Sequence, residues 1–262
     1  SLTNRPDLWC HYGIAREVSA LLKTKLKPLE IVKNIKKTAK KGEKLTVEIE
    51  NKNLCPSYSA LVINNVKIAP SPKWLSEALE KIGQKSINNL VDLTNYVMMD
   101  VGQPMHVFDF DKLIDNKDGK KIVVRTAKKG EKIVTLDNKE IALDESILLI
   151  TDGKDPLALA GIKGGKKAEV DENTKTVILE SANFEATNNR KTSSKIGIRT
   201  DAVMRYEKNL DSTLAETAIK IFVYLLLKVA PEAEIASSVI SKNYSKIKKI
   251  KINLPLAYVN KK

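Results

Sequence analysis

The sequence predicts an α+β fold in which mixed, mainly antiparallel sheets carry packed helices. Short strand patterns follow one another closely from residue 121 to 150, with a turn at Asp137-Asn138 that is typical of hairpins. Apolar residues at helical spacing begin near Ser71, Ser86 and Asp211, so three helices are available to cover the sheets. Hydrophobic residues make up 42% of the chain, which is enough for a core.

The composition limits the class of protein. Cys10 and Cys55 are the only cysteines among 262 residues, which argues against a disulfide framework and fits a reducing, cytoplasmic location. The most apolar run, 219–229, contains two lysines and is typical of a buried helix, so no membrane partner is expected. Because the N-terminus has neither a methionine nor a signal peptide, we expect the chain to be a piece of a longer protein.

The net charge of +13 favours a polyanionic partner, nucleic acid above all. A base-composition bias of the genome is an alternative source, since lysine dominates over arginine. Only 5% of residues are aromatic, and most lie at core spacing, which disfavours a free-standing nucleic-acid binder that stacks bases.

The first 70 residues are predicted to form a helical appendage, a basic linker and the first strands. Asp7 is the predicted N-cap of the first helix. Strand patterns follow at 45–49 and 58–63, and an Asn64-Asn65 turn predicts a hairpin with 66–68. The apolar stripe of the first helix comprises Leu8, Trp9, Tyr12, Ala15, Val18, Leu21 and Leu22.

Two helices are predicted next. Ser71 is the expected N-cap of the first, with Trp74 on its buried face and Gly83 at its end. The second runs from Asn88 to Gly102 and places Thr94 among its apolar residues. A buried hydroxyl needs a hydrogen bond, so Thr94, its neighbour Asn95 and the nearby His106 mark a candidate site.

The second half of the chain alternates strands, turns and helices. Strands are predicted at 122–124, 133–136, 141–143, 147–150 and 177–182, the last of which carries Glu180 near its end. The glycine-rich turn at 161–165 lacks the phosphate-loop spacing and predicts either positive φ or close approach to a ligand. A helix after Phe184, an apolar helix from Asp211, a strand at 238–240, a basic link at 242–251 and a short apolar run at 252–254 complete the chain.

The sequence resembles the beta subunit of bacterial phenylalanyl-tRNA synthetase around its B3/B4 domain. The resemblance rests on seven blocks in the family's order, among them NRPDLWCHYGIAREV, CPSY, LALAGIKGG, VILESANF and GIRTDAVMRYEKNLD. It implies three parts: the end of a B1-type module and linker at 1–45, the B3/B4 domain at 46–235, and a linker with the start of a B5-type module at 236–262.

The resemblance also implies an activity, the hydrolysis of tyrosine wrongly esterified to tRNA(Phe). Glu180 matches the residue that binds the tyrosine hydroxyl, as an ionised acceptor, and Gly161 offers its backbone amide. Thr94, Asn95 and His106 match residues at the ester end, and Thr200 and Ala202 match the pocket wall. The water-activating role of His106 is left open between a base and a hydrogen-bonding group.

The family implies no metal or other cofactor in this region, whereas the whole enzyme uses ATP and Mg²⁺ and pairs with an alpha subunit in a heterotetramer that binds the tRNA(Phe) acceptor end. Asp109 and Asp111, near His106, are expected to cap a turn. Lys163 replaces the methionine usual in the family, and Asn209 replaces a common glycine. A catalytically silent, structural and RNA-contacting module is the alternative to an editing domain.

Overall fold

A computed structural model describes residues 2–245 and 251–261, and they form an α+β fold. The helices are α1 (His11–Leu21), α2 (Lys73–Glu80), α3 (Asn89–Val101), α4 (Ala186–Ile196), α5 (Asp201–Tyr206), α6 (Leu214–Val229) and α7 (Leu256–Asn260). The strands are β1 (Leu45–Ile49), β2 (Ser57–Asn64), β3 (Met105–Asp109), β4 (Lys120–Thr126), β5 (Lys132–Val134), β6 (Glu140–Ala142), β7 (Leu148–Thr151), β8 (Pro156–Leu159), β9 (Lys163–Gly164), β10 (Val177–Asn183), β11 (Glu234–Ile235) and β12 (Ile240–Asn243).

Two sheets organise the fold, and the prediction of mainly antiparallel pairing is confirmed. The first sheet has the order β1-β4-β7-β8-β9, in which only β1 and β4 run parallel. The second has the order β11-β2-β10-β3, with β12 also paired to β2, and all its pairs are antiparallel. The β5–β6 hairpin forms a separate ribbon.

The second sheet is the middle layer of the core. Because successive side chains alternate between faces, each of its strands contributes to two different clusters. Leu61, Val107 and Leu179 pack on α2, α3 and α6. Tyr58, Phe108 and Ile178 pack against the first sheet, together with Val124 and Ile150 of that sheet. Glu180 shares the parity of Ile178, so its side chain lies between the two sheets.

The helix predicted around residue 94 is confirmed as α3. The Asn88 side chain accepts hydrogen bonds from the Leu90 and Val91 amides at its start. Gly102, with a φ of 84°, ends it in the left-handed conformation. The helix therefore begins and ends where its capping residues require.

The predicted caps of the first two helices are wrong. Asp7 lies in a 3-10 turn and pairs with Arg5 and Arg16, while the Cys10 side chain accepts from the Gly13 amide and caps α1. Pro72 precedes α2, and the Ser71 hydroxyl donates to Asp92 at 2.5 Å. In both cases a tertiary partner takes the polar group that the local pattern assigned to a cap.

The predicted hairpin at 58–68 is also wrong, and the two predicted apolar faces are correct only in part, as Leu75 and Leu79 of α2 are fully buried. Residues 66–68 form no strand, because β2 pairs with β10, β11 and β12 and the Val66 amide donates to the Lys175 carbonyl. Trp74 is 44% exposed, and Val18, Leu21 and Leu22 of the α1 stripe are exposed as well.

The remaining strand predictions from 122 to 182 are confirmed to within a few residues, as are α4 and α6. The strand expected at 238–240 begins only at Ile240. Residues 246–250 of the predicted basic link lie outside the described residues, and 252–254 precede α7 without regular structure. The proposed module boundaries stay predictions.

Candidate functional site

A small cavity lies between the two sheets. Its volume is about 80 Å³, far below the roughly 300–1,000 Å³ of ordinary small-molecule pockets. The lining residues are Pro104, Met105, His106, Ile150, Ala158, Leu159, Gly161, Ile162, Lys163, Gly164, Glu180, Ala202 and Tyr206.

Strand register brings the two titratable groups of the cavity together. β10 and β3 pair so that Glu180 lies directly opposite His106. Directly opposed residues in an antiparallel pair point to the same face, about 5 Å apart at Cβ. Glu180 and His106 are therefore neighbours in the fold, although they lie 74 positions apart in the chain.

Glu180 is buried, with 4% of its surface exposed. The Tyr58 hydroxyl donates to its Oε2 atom at 3.1 Å from the neighbouring strand β2. Burial raises the pKa of the Glu180 carboxyl to about 8, against the opposing effect of the Tyr58 hydrogen bond. At neutral pH the protonated acid dominates, which differs from the ionised acceptor expected from the sequence.

His106 is held in an apolar setting. Its ring meets Phe108 edge to face at 4.6 Å between centroids. Burial lowers the pKa of His106 to about 4, so the imidazole is neutral at pH 7. A neutral imidazole accepts a hydrogen bond from water, but it is a weak base.

Two glycines of the 161–165 turn shape the cavity. Gly161 has a φ of 70°, and a Cβ there would lie 2.6 Å from Asn189 Nδ2. A Cβ on Gly164 would lie 2.7 Å from the His106 ring. Gly161 is therefore required by conformation and packing, and Gly164 by the space that His106 occupies.

Thr200 and Ala202 have different positions. Ala202 lines the cavity. Thr200 does not line it; its hydroxyl accepts from the Val203 amide and donates to the Ile162 carbonyl. Thr200 thereby caps α5 and ties that helix to the glycine-rich turn.

Thr94 and Asn95 lie on α3 and do not line the cavity. The buried Thr94 hydroxyl donates to the Val91 carbonyl at 2.6 Å, within its own helix. This local bond satisfies the hydroxyl that marked the helix as unusual in the sequence. Asn95 is half-buried.

Lys163 stands at the rim, where its ammonium lies 3.2 Å from Asp137 Oδ2 on the turn between β5 and β6. The Thr135 hydroxyl, together with Lys163, holds the pKa of Asp137 at about 2. This ion pair joins the hairpin to the cavity rim. The lysine at position 163, where the family usually has a methionine, thus has an ion-pair partner in this fold.

Asp109 behaves as a turn residue. It accepts hydrogen bonds from the Asp111 amide and the Thr174 hydroxyl. Within residues 2–245 and 251–261, no cluster of three His, Cys, Asp or Glu side chains has the arrangement of a metal site. None of the helices described there is long and apolar enough to cross a membrane.

Comparison with known proteins decides the family. The family model described as the B3/4 domain matches residues 54–231. The chain belongs to the B3/4 domain family. Along its full length it is 43% identical to the phenylalanine–tRNA ligase beta subunit of Solibacter usitatus, and over 83% of the chain it is 49% identical to that of Clostridium acetobutylicum.

This B3/4 chain corresponds to part of those relatives, spanning 33% and 27% of their lengths. An N-terminal fragment of the phenylalanyl-tRNA synthetase beta-subunit from Pyrococcus horikoshii aligns over 99% of this chain and 69% of that chain, with 17% identity and a TM-score of 0.48. The family assignment rests on the family model and the sequence relatives alone. The resemblance to the beta subunit is confirmed by the sequence relatives.

Sequence reasoning missed three residues of the B3/4 cavity region, namely Tyr58, Gly164 and Tyr206. Tyr58 is fully buried against Glu180, and the Tyr206 hydroxyl donates to the Ala182 carbonyl at 3.0 Å. All three lie in blocks that carried the resemblance. A tyrosine in an apolar strand was a usable signal, since a buried hydroxyl requires a partner.

Proposed function

We propose that this chain hydrolyses tyrosine mis-esterified to tRNA(Phe), in support of phenylalanine–tRNA ligation. The observation that carries the proposal is the small cavity with the Glu180 carboxyl in its wall. Among the described residues, Oε2 has Tyr58 as its partner, while Oε1 has no hydrogen-bond partner. A phenol hydroxyl can form a hydrogen bond with this carboxyl as donor or acceptor, whereas the phenylalanine ring has no polar group that could do so.

Such a site answers a physical need. A hydrophobic synthetic pocket cannot strongly reject a substrate that merely adds a hydroxyl, with discrimination of about 10²-fold. A second site that hydrogen-bonds the hydroxyl discriminates by roughly 10⁴-fold or more, because its polar groups stay unpaired with the wrong ligand. The cavity supports selection of tyrosine by this second route.

Direct attack of water on the ester carbonyl fits the lining. The described cavity residues include no serine, threonine or cysteine that would act as a nucleophile. In the proposed mechanism neutral His106 accepts a hydrogen bond from the attacking water and orients it. Ala202 leaves room for the ring, and the Gly161 amide would contact the substrate. Thr94, Asn95 and Thr200 support the site from α3 and from the start of α5.

The wider setting is proposed from the resemblance to the beta subunit of phenylalanyl-tRNA synthetase. The whole enzyme would be a cytoplasmic ligase with an alpha subunit in a heterotetramer, and ATP with Mg²⁺ would serve aminoacylation there. Within this chain we propose no metal or other cofactor. The tRNA acceptor end would deliver the ester to the cavity.

The test is deacylation of tyrosyl-tRNA(Phe) by the full ligase carrying this chain. Ala202→Trp should abolish hydrolysis by filling the cavity while phenylalanine charging continues. Ala142→Trp, on the exposed face of β6, is the matched control and should hydrolyse like the parent. If the parent does not exceed the spontaneous rate, the chain is a silent structural and RNA-contacting module instead.

A further inference from the structure

The positive charge of the chain is concentrated in two segments, 23–44 and 242–262, of which the structure describes the first throughout. Residues 23–44, here called the strap, contain nine lysines and two glutamates. Nine minus two gives +7, more than half of the chain's +13, in 22 of 262 residues. A genome-wide lysine bias would distribute lysines evenly, so it does not explain this concentration.

The strap lysines follow one another closely in the chain and share the same surroundings. All nine are exposed, and none of them forms an ion pair within residues 2–245 and 251–261. Elsewhere lysines commonly pair with acids, as in Lys121 with Glu48 and Lys167 with Asp152. The strap charge is therefore not neutralised by the protein around it.

The strap is fixed in place although it has no helix or strand. Leu29, Val32 and Ile35 pack on the core beside α6, at a spacing of three residues. The Thr38 and Ala39 amides both donate to the Ile235 carbonyl, at 2.9 and 3.0 Å. Leu29, Val32 and Ile35 thus face the core, while the strap lysines face solvent on a backbone that these contacts hold in place.

We propose that the strap is a binding surface for the phosphate backbone of RNA. Lysine ammonium groups are point charges suited to phosphate oxygens, and binding releases the counterions of the polyanion. The strap contains neither an aromatic residue nor an arginine, so it has no groups for stacking on bases. It therefore adds affinity and orientation without reading sequence. The choice of RNA rests on the proposed function.

The test compares two triple variants of the full ligase. One carries Lys33→Gln, Lys36→Gln and Lys40→Gln in the strap. The other carries Lys81→Gln, Lys85→Gln and Lys117→Gln, which are equally exposed and also lack ion pairs among the described residues. Binding of tRNA(Phe), and of a short RNA duplex as a sequence-neutral probe, is measured over a range of salt concentrations.

The strap variant should lower the slope of log affinity against log salt by about one unit per lysine, and weaken binding of both probes roughly tenfold or more near 0.1 M salt. The control variant should retain the parent slope. Equal slopes in the two variants overturn the proposal. Should the parent not hydrolyse tyrosyl-tRNA(Phe) while the strap effect persists, the proposed function alone has failed.

Discussion

The two faces of the second sheet use the same strands for opposite purposes. Towards the helices, Leu61, Val107 and Leu179 form an apolar layer beside the buried hydroxyls of Ser59 and Ser181. Towards the first sheet, the same strands bury Tyr58 and Glu180 and place the partly buried His106 beside them. An apolar face adds stability with every buried group, whereas a buried titratable group lowers it unless it is neutral or paired. Alternate residues of the same strands therefore serve the packing of the helices and the candidate site.

The largest expected effect concerns the Glu180 face and pH. Because the folded-state pKa is about 8 and the unfolded value about 4.5, the folded chain holds the extra proton between these values. Stability from this group is then present below about pH 4.5 and is lost as pH rises through 8, by on the order of 4 kcal/mol. Glu180→Gln should remove that loss in urea unfolding measured from pH 5 to 9.

His106 acts in the opposite sense over a lower window. Its folded pKa of about 4 lies below the ordinary 6.5, so stability rises with pH between these values. The parent and Glu180→Gln share this contribution, so the difference between their unfolding free energies isolates the effect of the carboxyl. A constant difference at all pH values would contradict the buried neutral acid.

A slightly smaller effect is expected on the helix face. Leu179→Ala leaves a cavity under α6 and should lower the free energy of unfolding by about 3 kcal/mol. Hydrolysis per folded molecule should stay close to that of the parent, since the side chain points away from the cavity. If hydrolysis falls as far as in Ala202→Trp, the two faces are not independent.

Tyr58→Phe tests the hydrogen bond between Tyr58 and Glu180 on the polar face. Removing the hydroxyl deletes the hydrogen bond to Glu180 Oε2, which should cost about 1–2 kcal/mol and raise the pKa of Glu180 further. The readout is the infrared band of the protonated carboxyl, identified by its absence in Glu180→Gln and followed across pH. Its midpoint should move upward in Tyr58→Phe. Tyr96→Phe, a half-buried tyrosine outside the cavity lining, should leave the midpoint unchanged.

The smallest effect is expected at the rim. Lys163→Met removes the partly exposed ion pair to Asp137 and should change stability by less than about 1 kcal/mol. Hydrolysis by the variant should then depend less on salt than hydrolysis by the parent. A large loss of stability would show that the β5–β6 hairpin depends on this pair.

Local pattern was sufficient for much of the fold. The helical spacing around Thr94 and the stop at Gly102 predicted α3, and the alternating strands from 122 to 182 were predictable as well, because hydrophobic period and turn chemistry act within a few residues. The caps at Asp7 and Ser71 and the hairpin after residue 64 could not be predicted in this way. Asp7 pairs with Arg16, the Ser71 hydroxyl donates to Asp92, and β2 pairs with β10, so each group has a partner that the local pattern does not show.

Local sequence patterns specified most of the strands and helices, the family blocks and the residue types available for a site, and the Thr94 hydroxyl is satisfied locally within its own helix. The pairing of distant strands was needed to place Glu180 opposite His106 and to bring Tyr58 to the carboxyl. Strand register places residues from distant parts of the chain side by side, and a shift by one residue would turn Glu180 towards the helices. The burial that raises the pKa of Glu180 arises from that placement and cannot be read from the amino-acid composition.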